Sequence, residues 1–564
     1  MALRSPSAPP AEHALSERAR RRPVGDPTAM RCLGSSPTAA SALVATLGAL
    51  VYLITTPPSA DLAAATYRSD LFGRVGLSLW DNGWYAGHHL PGYSLLSPAL
   101  GAVLGPRLLL VLSAVLAAAL FGALAARHLP GRGGMAAALW FAVGISVELL
   151  SGRVPYYLGL ALALVALTLW PRHRGWALAA AALASGASPV AGAFLALVAL
   201  ALAVTAARPA RGGWHGPALG ARERTGWALG LGAAALLPAL ALTVAFPEGG
   251  YEPFSRGAFW PALAGVVVVG ALLAPGRPAL ATGSALYALA MVGSFALSTP
   301  VGGNVTRLGS LVAGPLMAGL LWDRRPRLLA VLVPALAYWQ LATPLHDLAV
   351  LGRDPAVGAG YFRPVLSELE RRAGNQPTRV EVPFTGAHWE SVWVAQRFGL
   401  TRGWERQLDT RFDPLFYGRA LDAGAYRRWL VDNAVSWVAV PDARLDDAGR
   451  AEVALVDRRP AFLREVWHST HWRLYAMADA APLVSSPARM SRLGSDTVDL
   501  ALARPATVTV RVHYTPYWAL LSGRGCVSAA PGGWTQVHAT SAGALRLGIR
   551  FGVGRIVDHG PRCR

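Results

Sequence analysis

The sequence predicts a polytopic α-helical membrane protein whose C-terminal part folds outside the membrane as an α/β unit followed by a β-sandwich. Hydrophobic residues make up 53% of its 564 residues and charged residues only 15%, whereas an ordinary soluble protein has roughly 25% charged residues. About eleven apolar runs follow one another before residue 343, and short runs typical of strands appear near the C-terminus. A membrane is therefore the expected solvent for most of the chain.

The first segment, residues 1–36, predicts a disordered basic leader. It is rich in Pro, Ser and Arg, a composition that cannot bury enough apolar surface to fold. The segment is too long and too basic for a cleaved signal peptide, and no convincing small-residue cleavage site follows the first apolar run. We expect it to remain in the cytoplasm.

The next segment, residues 37–343, predicts a multi-span membrane domain. A helix of about 20 mostly apolar residues crosses a hydrocarbon core about 30 Å thick and bonds every backbone amide within itself. The runs that meet or approach this length are Ala39–Thr56, Leu108–Ala126, Met135–Leu150, Pro155–Trp170, Trp176–Ala187, Val190–Ala206, Trp227–Phe246, Phe259–Ala274, Ala279–Leu297, Leu308–Trp322 and Leu328–Leu341.

The arginine distribution predicts the orientation, because short cytoplasmic loops retain arginine. Arginines occur in the leader and in alternate connections, at Arg127 and Arg132, Arg172 and Arg174, Arg208, Arg211, Arg222 and Arg224, Arg277, and Arg324, Arg325 and Arg327. This alternation requires two short crossings or a broken helical hairpin between Trp176 and Ala206. It predicts a plasma-membrane protein with a cytoplasmic N-terminus and everything after about Thr343 outside.

The net charge of +20 could suggest a nucleic-acid partner. However, the arginines form short clusters between apolar runs and do not line one amphipathic face. We therefore attribute the charge to membrane topology and expect the lipid bilayer, and no nucleic acid, as a partner.

Residues 344–484 predict an extracytoplasmic α/β domain, since a helix at Tyr361–Arg372 precedes a strand at Arg379–Phe384 and the alternation repeats at Ala425–Asn433 and Ser436–Val440.

Residues 485–564 predict an extracytoplasmic β-rich domain. From about Asp496, short β-like runs alternate with Pro and Gly, which favours a small β-sandwich. Cys526 and Cys563 both lie here, and an oxidising compartment would permit a disulfide between them. The sequence leaves their separation in space open.

The first external loop, residues 57–106, is far longer than a connector requires. Apolar residues have helical spacing at Ala63–Leu79, and Ser94–Leu104 resembles a short helix at the membrane interface. The loop holds the densest polar and aromatic cluster of the chain, composed of Asp61, Arg68, Asp70, Arg74, Trp80, Asp81, Asn82, Trp84, Tyr85, His88, His89 and Tyr93.

Two interpretations of this cluster remain open. Carboxylates beside imidazoles can bind a divalent cation or remove a proton from a hydroxyl, and the aromatic rings of Trp80, Trp84, Tyr85 and Tyr93 could stack on sugar faces. Alternatively, the aromatic residues form an ordinary interfacial belt and the histidines are structural.

Arg153 and Arg307 stand out because the external connections are otherwise poor in arginine. Guanidinium groups make bidentate contacts with phosphate oxygens, so both are candidate substrate-binding residues. A snorkelling arginine at a helix end is the alternative. Glu148, near the outer end of its span, could line a donor cavity or simply pair with Arg153. Two C-terminal segments, Arg402–Gln407 and Asp413–Tyr417, could bind an acceptor or form a salt-bridged loop.

The whole arrangement resembles the GT-C class of glycosyltransferases: many spans, acidic residues in a long first external loop, an interfacial helix and a C-terminal external domain. More closely, three segments are similar to uncharacterised integral membrane proteins of actinobacteria, and the similarity extends from about Ala39 to Phe551. These segments are WDNGWYAGHHLPGYSLLSPALGAVLGP, HWESVWVAQRFGLTRGWERQLDTRFDPLFY and YRRWLVDNAVSWVAVPDARLD.

The resemblance implies transfer of a sugar from a polyprenyl-phosphate-linked donor to a cell-envelope acceptor, aided by an acidic residue or by a bound Mg²⁺ or Mn²⁺. Members of the class place a catalytic acid in the first external loop, often within a paired acidic motif. This loop has no adjacent acidic pair. The candidates are therefore Asp61, Asp70 and Asp81, of which Asp70 is slightly favoured as base or metal contact. His88 is the second candidate metal ligand, and His89 is a further helper.

Two other functions fit a polytopic chain. A transporter or lipid flippase typically shows repeated halves, ionisable groups deep in its spans and small external loops, and these features are weak here. A noncatalytic scaffold with a glycan-binding outer domain is the second alternative, because the paired acidic motif is missing.

Overall fold

The computed structural model describes residues 36–129, 131–170, 172–206, 220–274, 276–418 and 421–563. The predicted leader, with Cys32, lies outside these residues except for Ser36, as do Arg208 and Arg211. The helices up to residue 351 are α1 (Pro37–Thr55), α2 (Ala60–Val75), α3 (Ser97–Leu104), α4 (Pro106–His128), α5 (Arg132–Glu148), α6 (Val154–Leu169), α7 (Arg174–Ala187), α8 (Pro189–Thr205), α9 (Ala221–Ala245), α10 (Arg256–Leu273), α11 (Pro278–Ala296), α12 (Thr306–Leu321) and α13 (Pro326–Leu351).

Seven helices in the described part of the chain are long and apolar enough to cross a membrane, which indicates a membrane protein. They are α1, α4, α5 with its following turn, α9, α10, α11 and α13. Two further apolar helices, α6 and α8, are shorter. Each of the eleven predicted apolar runs overlaps one helix, and the doubtful run from Trp176 to Ala206 forms α7 and α8 with a break at Ser188.

Proline begins many of these helices, because its fixed φ angle suits the first turn and its missing N–H would have no intrahelical partner there. The helices whose first residue is proline include α1, α4, α8, α11 and α13. At the break before α8, Ser188 is extended and its Oγ accepts a hydrogen bond from Ala191 N at 3.4 Å. A cap followed by proline therefore ends one helix and starts the next.

The long loop between α1 and α4 lies across one end of the helical bundle. It contains α2, α3 and two short strands, β1 (Trp80–Asp81) and β2 (His88–His89). Ser59 Oγ donates to Ser151 O, between α5 and α6, at 2.6 Å. Leu95 N donates to Gly186 O, near the end of α7, at 2.8 Å. The connections after α1, α5 and α7 thus meet on one side.

The connections after α9 and α11 lie on this same side, because both contact the C-terminal region. Arg411 Nη1 donates to Pro247 O at 2.8 Å, and Gln407 Nε2 donates to Pro300 O at 3.2 Å. The C-terminal region therefore covers this end of the bundle.

An α/β unit follows α13. Its elements are α14 (Ala359–Ala373), β3 (Arg379–Glu381), α15 (Glu390–Trp393), β4 (Gly399–Leu400), α16 (Arg406–Phe412), α17 (Ala423–Asp432), β5 (Val435–Pro441), α18 (Asp447–Val456), β6 (Leu463–His468) and β7 (Trp472–Met477). Among the residues described, these strands form one sheet in the order β4-β3-β5-β7-β6. The first three strands are parallel to one another, and β7 is antiparallel to both of its neighbours, β5 and β6. The parallel part agrees with the predicted alternation of helices and strands.

The chain ends in a β-sandwich, as predicted. Its strands are β8 (Ala488–Leu493), β9 (Thr497–Leu502), β10 (Ala506–His513), β11 (Trp518–Ser522), β12 (Gly525–Ala529), β13 (Trp534–Ala539), β14 (Gly543–Ile549) and β15 (Arg562–Cys563). Within the described ranges they form two sheets, β10-β13-β12-β15 and β11-β14-β9-β8, which share one core that includes Val510 and Leu547. A disulfide joins Cys526 in β12 to Cys563 in β15, so the bond that the sequence only permitted is formed.

Candidate functional site

Asp61 lies in the first turn of α2, immediately after the first long apolar helix. Its Oδ2 accepts a hydrogen bond from Arg153 Nε at 3.1 Å. Arg153, between α5 and α6, also reaches Glu148 Oε2 with Nη1 at 3.4 Å. The predicted alternative of a Glu148–Arg153 pair is thus present, and Asp61 joins it from the long loop.

Arg307, in the first turn of α12, presents its charge to the same region. Its Cζ lies 5.5 Å from the centre of the Tyr156 ring, and Asp61 and Glu252 act on it electrostatically. The guanidinium makes no hydrogen bond or ion pair with another described residue. The buried Tyr156 hydroxyl also has no hydrogen-bond partner among the described residues. The Arg307 guanidinium and the Tyr156 hydroxyl are therefore both free to donate hydrogen bonds to a ligand.

Glu252 approaches from the connection between α9 and α10. Burial raises the pKa of its carboxyl group to about 7, although the positive charges of Arg307 and Arg406 act in the opposite direction. Its side chain makes no ion pair with any residue in the described part of the chain. A carboxyl group that changes charge near neutral pH suits proton transfer. We call Asp61, Glu148, Arg153, Glu252 and Arg307 the Asp61 cluster.

Hydrogen bonds to α16 hold the segment that carries Glu252. Thr410 Oγ1 donates to Tyr251 O at 2.7 Å and accepts from Tyr251 N at 3.2 Å. Our sequence interpretation missed Glu252. The signal that could have found it is the pair of acids, Glu248 and Glu252, in a short connection between two apolar runs.

The structure does not bring Asp70 to the Asp61 cluster. The two acids are nine residues apart on α2, which is about 2.5 helical turns, so they face opposite sides of the helix. Asp70 is exposed, and its Oδ2 accepts a hydrogen bond from Gln396 Nε2 at 3.0 Å. Partial burial raises the pKa of Asp70, with Arg74 acting against it.

Asp81 is buried at the end of β1, where the turn to β2 begins. Its carboxylate accepts hydrogen bonds from Tyr67 Oη and from Gly83 N, both at 2.9 Å. Burial raises its pKa to about 6, and the two hydrogen bonds act in the opposite direction. Both carboxylate oxygens are engaged in holding the turn.

His88, opposite Asp81 in the β1–β2 pair, is fully buried among aromatic rings. It stacks on Trp84, with ring centres 5.8 Å apart and planes 10° apart, and meets Tyr85 edge-on. Neither ring nitrogen has a hydrogen-bond partner among the described residues. Burial, followed by the charge of Arg68, lowers its pKa to about 3. The ring is therefore neutral at physiological pH.

His89 connects three segments of the chain. Its Nε2 lies 2.9 Å from Thr515 Oγ1, and its Nδ1 lies 2.6 Å from Glu248 Oε1. Burial acts to raise the pKa of Glu248, but the interactions with His89 outweigh it and the pKa is lowered. His89 thus fastens the long loop to the α9–α10 connection and to the β-sandwich.

The four predicted aromatic residues lie in different surroundings. Trp80 joins the sandwich core, the Trp84 indole N–H donates to Ser391 O at 2.9 Å, and the Tyr85 hydroxyl donates to Gly403 O at 2.6 Å. These three are buried between the long loop and the C-terminal region. Tyr93 is only partly buried, and the charges of Asp61 and Arg307 act on it, so it is the aromatic residue of the four that borders the Asp61 cluster.

The two residues predicted to bind a metal ion, Asp70 and His88, lie in different surroundings. No group of three or more His, Cys, Asp or Glu side chains that could hold a metal ion occurs within the described residues. Of the two predicted ligands, Asp70 is exposed on α2 and His88 is enclosed by aromatic rings. Asp70 and His88 therefore do not share a metal site in the described part of the chain.

The predicted C-terminal segment around Arg402 forms buried ion pairs. The Arg402 guanidinium contacts Asp409 at 2.6 Å and Glu452 at 3.3 Å and lies against the rings of Phe384 and Phe416. This arrangement matches the salt-bridged alternative for that segment.

The sequence matches no protein-family model and no curated protein.

The Asp61 cluster combines the unpaired guanidinium of Arg307 with the ion-paired Asp61 and the unpaired Glu252, and the Tyr156 phenol lies beside it. It lies where the helical bundle, the long loop and α16 meet. Arginine side chains at such a place suit phosphate oxygens, and Glu252 can exchange a proton near pH 7. The cluster can therefore bind a phosphorylated molecule and accept a proton beside it.

Proposed function

We propose that the chain is a GT-C-like membrane glycosyltransferase that moves a sugar from a polyprenyl-phosphate-linked donor to a cell-envelope acceptor. The observation that carries the proposal is the unpaired guanidinium of Arg307 beside the Asp61–Arg153 ion pair. The guanidinium of Arg307 is only partly buried and has hydrogen-bond donors to spare, so a phosphate group could bind it through charge-assisted hydrogen bonds. The apolar helices next to the cluster would accommodate the polyprenyl chain.

The proposed topology has eleven crossings of the plasma membrane, a cytoplasmic N-terminus and an outer C-terminal region. It is supported by the contacts that gather the connections after α1, α5, α7, α9, α11 and α13 at one end of the bundle. The arginines of the other connections then lie on the cytoplasmic side, as the positive-inside rule requires. The Asp61 cluster would face the outside, where lipid-linked sugars meet cell-envelope acceptors.

In the proposed reaction, an acceptor hydroxyl attacks the anomeric carbon of the donor sugar. The bond between that carbon and the phosphate oxygen breaks, and polyprenyl phosphate leaves. Arg153 and Arg307 stabilise the charge that develops on the leaving phosphate. Glu252 takes the proton of the attacking hydroxyl, because a base with a pKa near the working pH is the most effective. Asp61 holds Arg153 at the phosphate.

The test is sugar transfer in membranes supplied with a panel of radiolabelled polyprenyl-phosphate sugars. Asp61→Asn is compared with Asp70→Asn, a matched control because both acids lie on α2 and only Asp61 contacts Arg153. Removing an oriented electrostatic group typically costs about 10²-fold in rate, so we expect that loss for Asp61→Asn and near-normal transfer for Asp70→Asn.

Two results would overturn the proposal. An equal loss of sugar transfer in both variants would mean that activity does not depend on the Asp61 cluster. Absence of transfer from every donor by the correctly inserted wild-type chain would favour a transporter or a noncatalytic scaffold.

A further inference from the structure

A second concave site lies between the α/β unit and the β-sandwich. Its cavity volume is about 960 Å³, at the upper end of the range of about 300–1,000 Å³ found for small-molecule sites. The side chains that give it its chemical character are Phe412, Asp413, Arg428, Trp429, Arg511 and Trp534. We call this site the interdomain groove.

Aromatic rings form one part of the groove. The His513 ring stacks between Phe412 and Trp534, with ring centres 4.4 Å and 5.0 Å away. Trp429 is only partly buried and lines the groove from α17. Flat rings offer large apolar faces to a ligand that has apolar faces of its own.

Polar groups lie among these rings. Arg428 is exposed and makes no hydrogen bond or ion pair with another described residue, whereas Arg511 is fixed by donating to Asp432 O at 2.5 Å. The side chains of Ser485 and Thr509 add hydroxyl groups to the wall. A ligand here must present both apolar faces and many hydrogen-bonding edges, and this combination is typical of sugars.

Asp413 provides an independent sign of a ligand. Its side chain is 2% exposed, and Oδ1 accepts a hydrogen bond from the Trp429 indole N–H at 2.9 Å. Its Oδ2 is buried beside the groove without a hydrogen-bond partner among the described residues. Burial and then the Asp409 carboxylate raise the pKa of Asp413 well above its usual value, and the hydrogen-bonding capacity of Oδ2 is unmet. A ligand hydroxyl would satisfy it.

We propose that the interdomain groove binds an oligosaccharide, through ring stacking on Trp429 and hydrogen bonds with Asp413 and Arg428. This site is separate from the Asp61 cluster and needs no transfer reaction. The two sites lie near opposite ends of α16, because Phe412 at its last position lines the groove while Arg406 at its first position acts on Glu252. If the chain is a glycosyltransferase, the bound oligosaccharide is a remote part of its acceptor.

The test is direct binding to the full-length chain in lipid nanodiscs, measured by thermophoresis. The probes are hexasaccharides of glucose, mannose, arabinose and galacturonic acid. Arg428→Glu is compared with Arg427→Glu, a matched control because Arg427 is the adjacent residue but pairs with Asp479 on the surface at 2.7 Å. Trp429→Ala is the second variant, used after its thermal unfolding shows a folded chain.

We expect at least one hexasaccharide to bind, and we expect Arg428→Glu and Trp429→Ala to weaken its binding by about tenfold or more. Arg427→Glu should bind as the wild type does. No binding by any probe at concentrations up to about 10 mM, or equal binding by all variants, would overturn the proposal. The binding measurement needs no turnover. Oligosaccharide binding can therefore be absent while sugar transfer is observed, and binding can be observed while transfer is absent.

Discussion

Arg153 Nε lies 3.1 Å from Asp61 Oδ2, and this contact joins residues 92 positions apart in the chain. It brings the first turn of α2 to the connection between α5 and α6. Arg307 then contributes a second guanidinium that makes no ion pair with a described side chain, although Asp61 and Glu252 act on it electrostatically. Arg153 pairs with both Asp61 and Glu148, whereas Arg307 has no such pair. Arg307 is therefore the arginine whose charge is available to a ligand.

The first prediction concerns donor affinity. Arg307→Gln should raise the KM for a polyprenyl-phosphate-linked sugar by about tenfold to a hundredfold, because a hydrogen bond to a charged group contributes about 1.5–3 kcal/mol. Arg307→Lys should restore only part of the affinity, since an ammonium group lacks the bidentate fork. Steady-state kinetics over a range of donor concentrations measures both effects.

The control for this prediction is Arg353→Gln. Arg353 follows α13, is exposed, and makes no ion pair with another described residue. Arg353→Gln lowers the net charge by one, as Arg307→Gln does, but leaves the Asp61 cluster unchanged. An equal rise in KM for both variants would mean that general charge, and not the position of Arg307, sets the affinity.

The second prediction concerns pH. Burial raises the pKa of Glu252 to about 7, so the carboxyl group is protonated below that pH and cannot accept a proton. We expect kcat/KM for transfer to rise with pH up to about 7 and then to level off. Glu252→Gln should lower the rate by about 10²–10⁴-fold and remove this rise. A pH profile that is identical in both proteins would exclude Glu252 as the base.

Much of the fold could be predicted because its signals are local. A run such as Leu108–Ala126 is long and apolar enough to cross a membrane as a helix by itself, and it forms α4. The break between Trp176 and Ala206 was predicted from the alternation of arginine-rich connections, and the structure places it at Ser188. The β-sandwich was predictable from short runs separated by Pro and Gly, but the Cys526–Cys563 bond needed the register of β12 against β15.

The site could be predicted only in part, because its signals depend on distant contacts. The sequence predicts that Asp70 lies on a helix and that Asp61 lies close before it. Only the contact with Arg153 shows that the helix face with Asp61 points to the cluster. The histidines illustrate the same limit. The burial of His88 depends on aromatic rings that are packed by the C-terminal region, and a local sequence pattern contains no trace of that packing.

The third prediction tests the proposed topology with the native cysteines. A membrane-impermeant maleimide should label Cys32 in inside-out vesicles and not in right-side-out vesicles, because the leader is expected in the cytoplasm. Cys526 and Cys563 are bonded to each other, so they should react only after reduction, and then from the opposite side. Peptide mass spectrometry distinguishes the three positions. Labelling of Cys32 and reduced Cys563 from the same side would contradict an odd number of crossings.

The fourth prediction concerns the stability of the α/β unit. Glu381 is fully buried, and neither carboxyl oxygen has a hydrogen-bond partner among the described residues. Burial, and then the neighbouring Glu452 carboxylate, raise the pKa of Glu381 well above its ordinary value of 4.5. The folded chain therefore holds a proton that the unfolded chain releases above that value. Stability from this group is fully present below about pH 4.5 and is lost as the pH rises through the folded-state pKa.

The amide of Glu381→Gln does not titrate, so the variant should not lose this stability as the pH rises. Each unit by which the pKa is raised corresponds to about 1.4 kcal/mol, so the variant should become more stable than the wild type as the pH rises from about 4.5 to about 8.5. Thermal unfolding of the full-length chain at both pH values measures the difference. Glu370→Gln is the control, because Glu370 is exposed on α14 and pairs with Arg397 at the surface. If the Glu381→Gln and wild-type curves stay parallel across this range, Glu381 is ionised in the folded chain and a nearby cation, such as Arg402, compensates its charge.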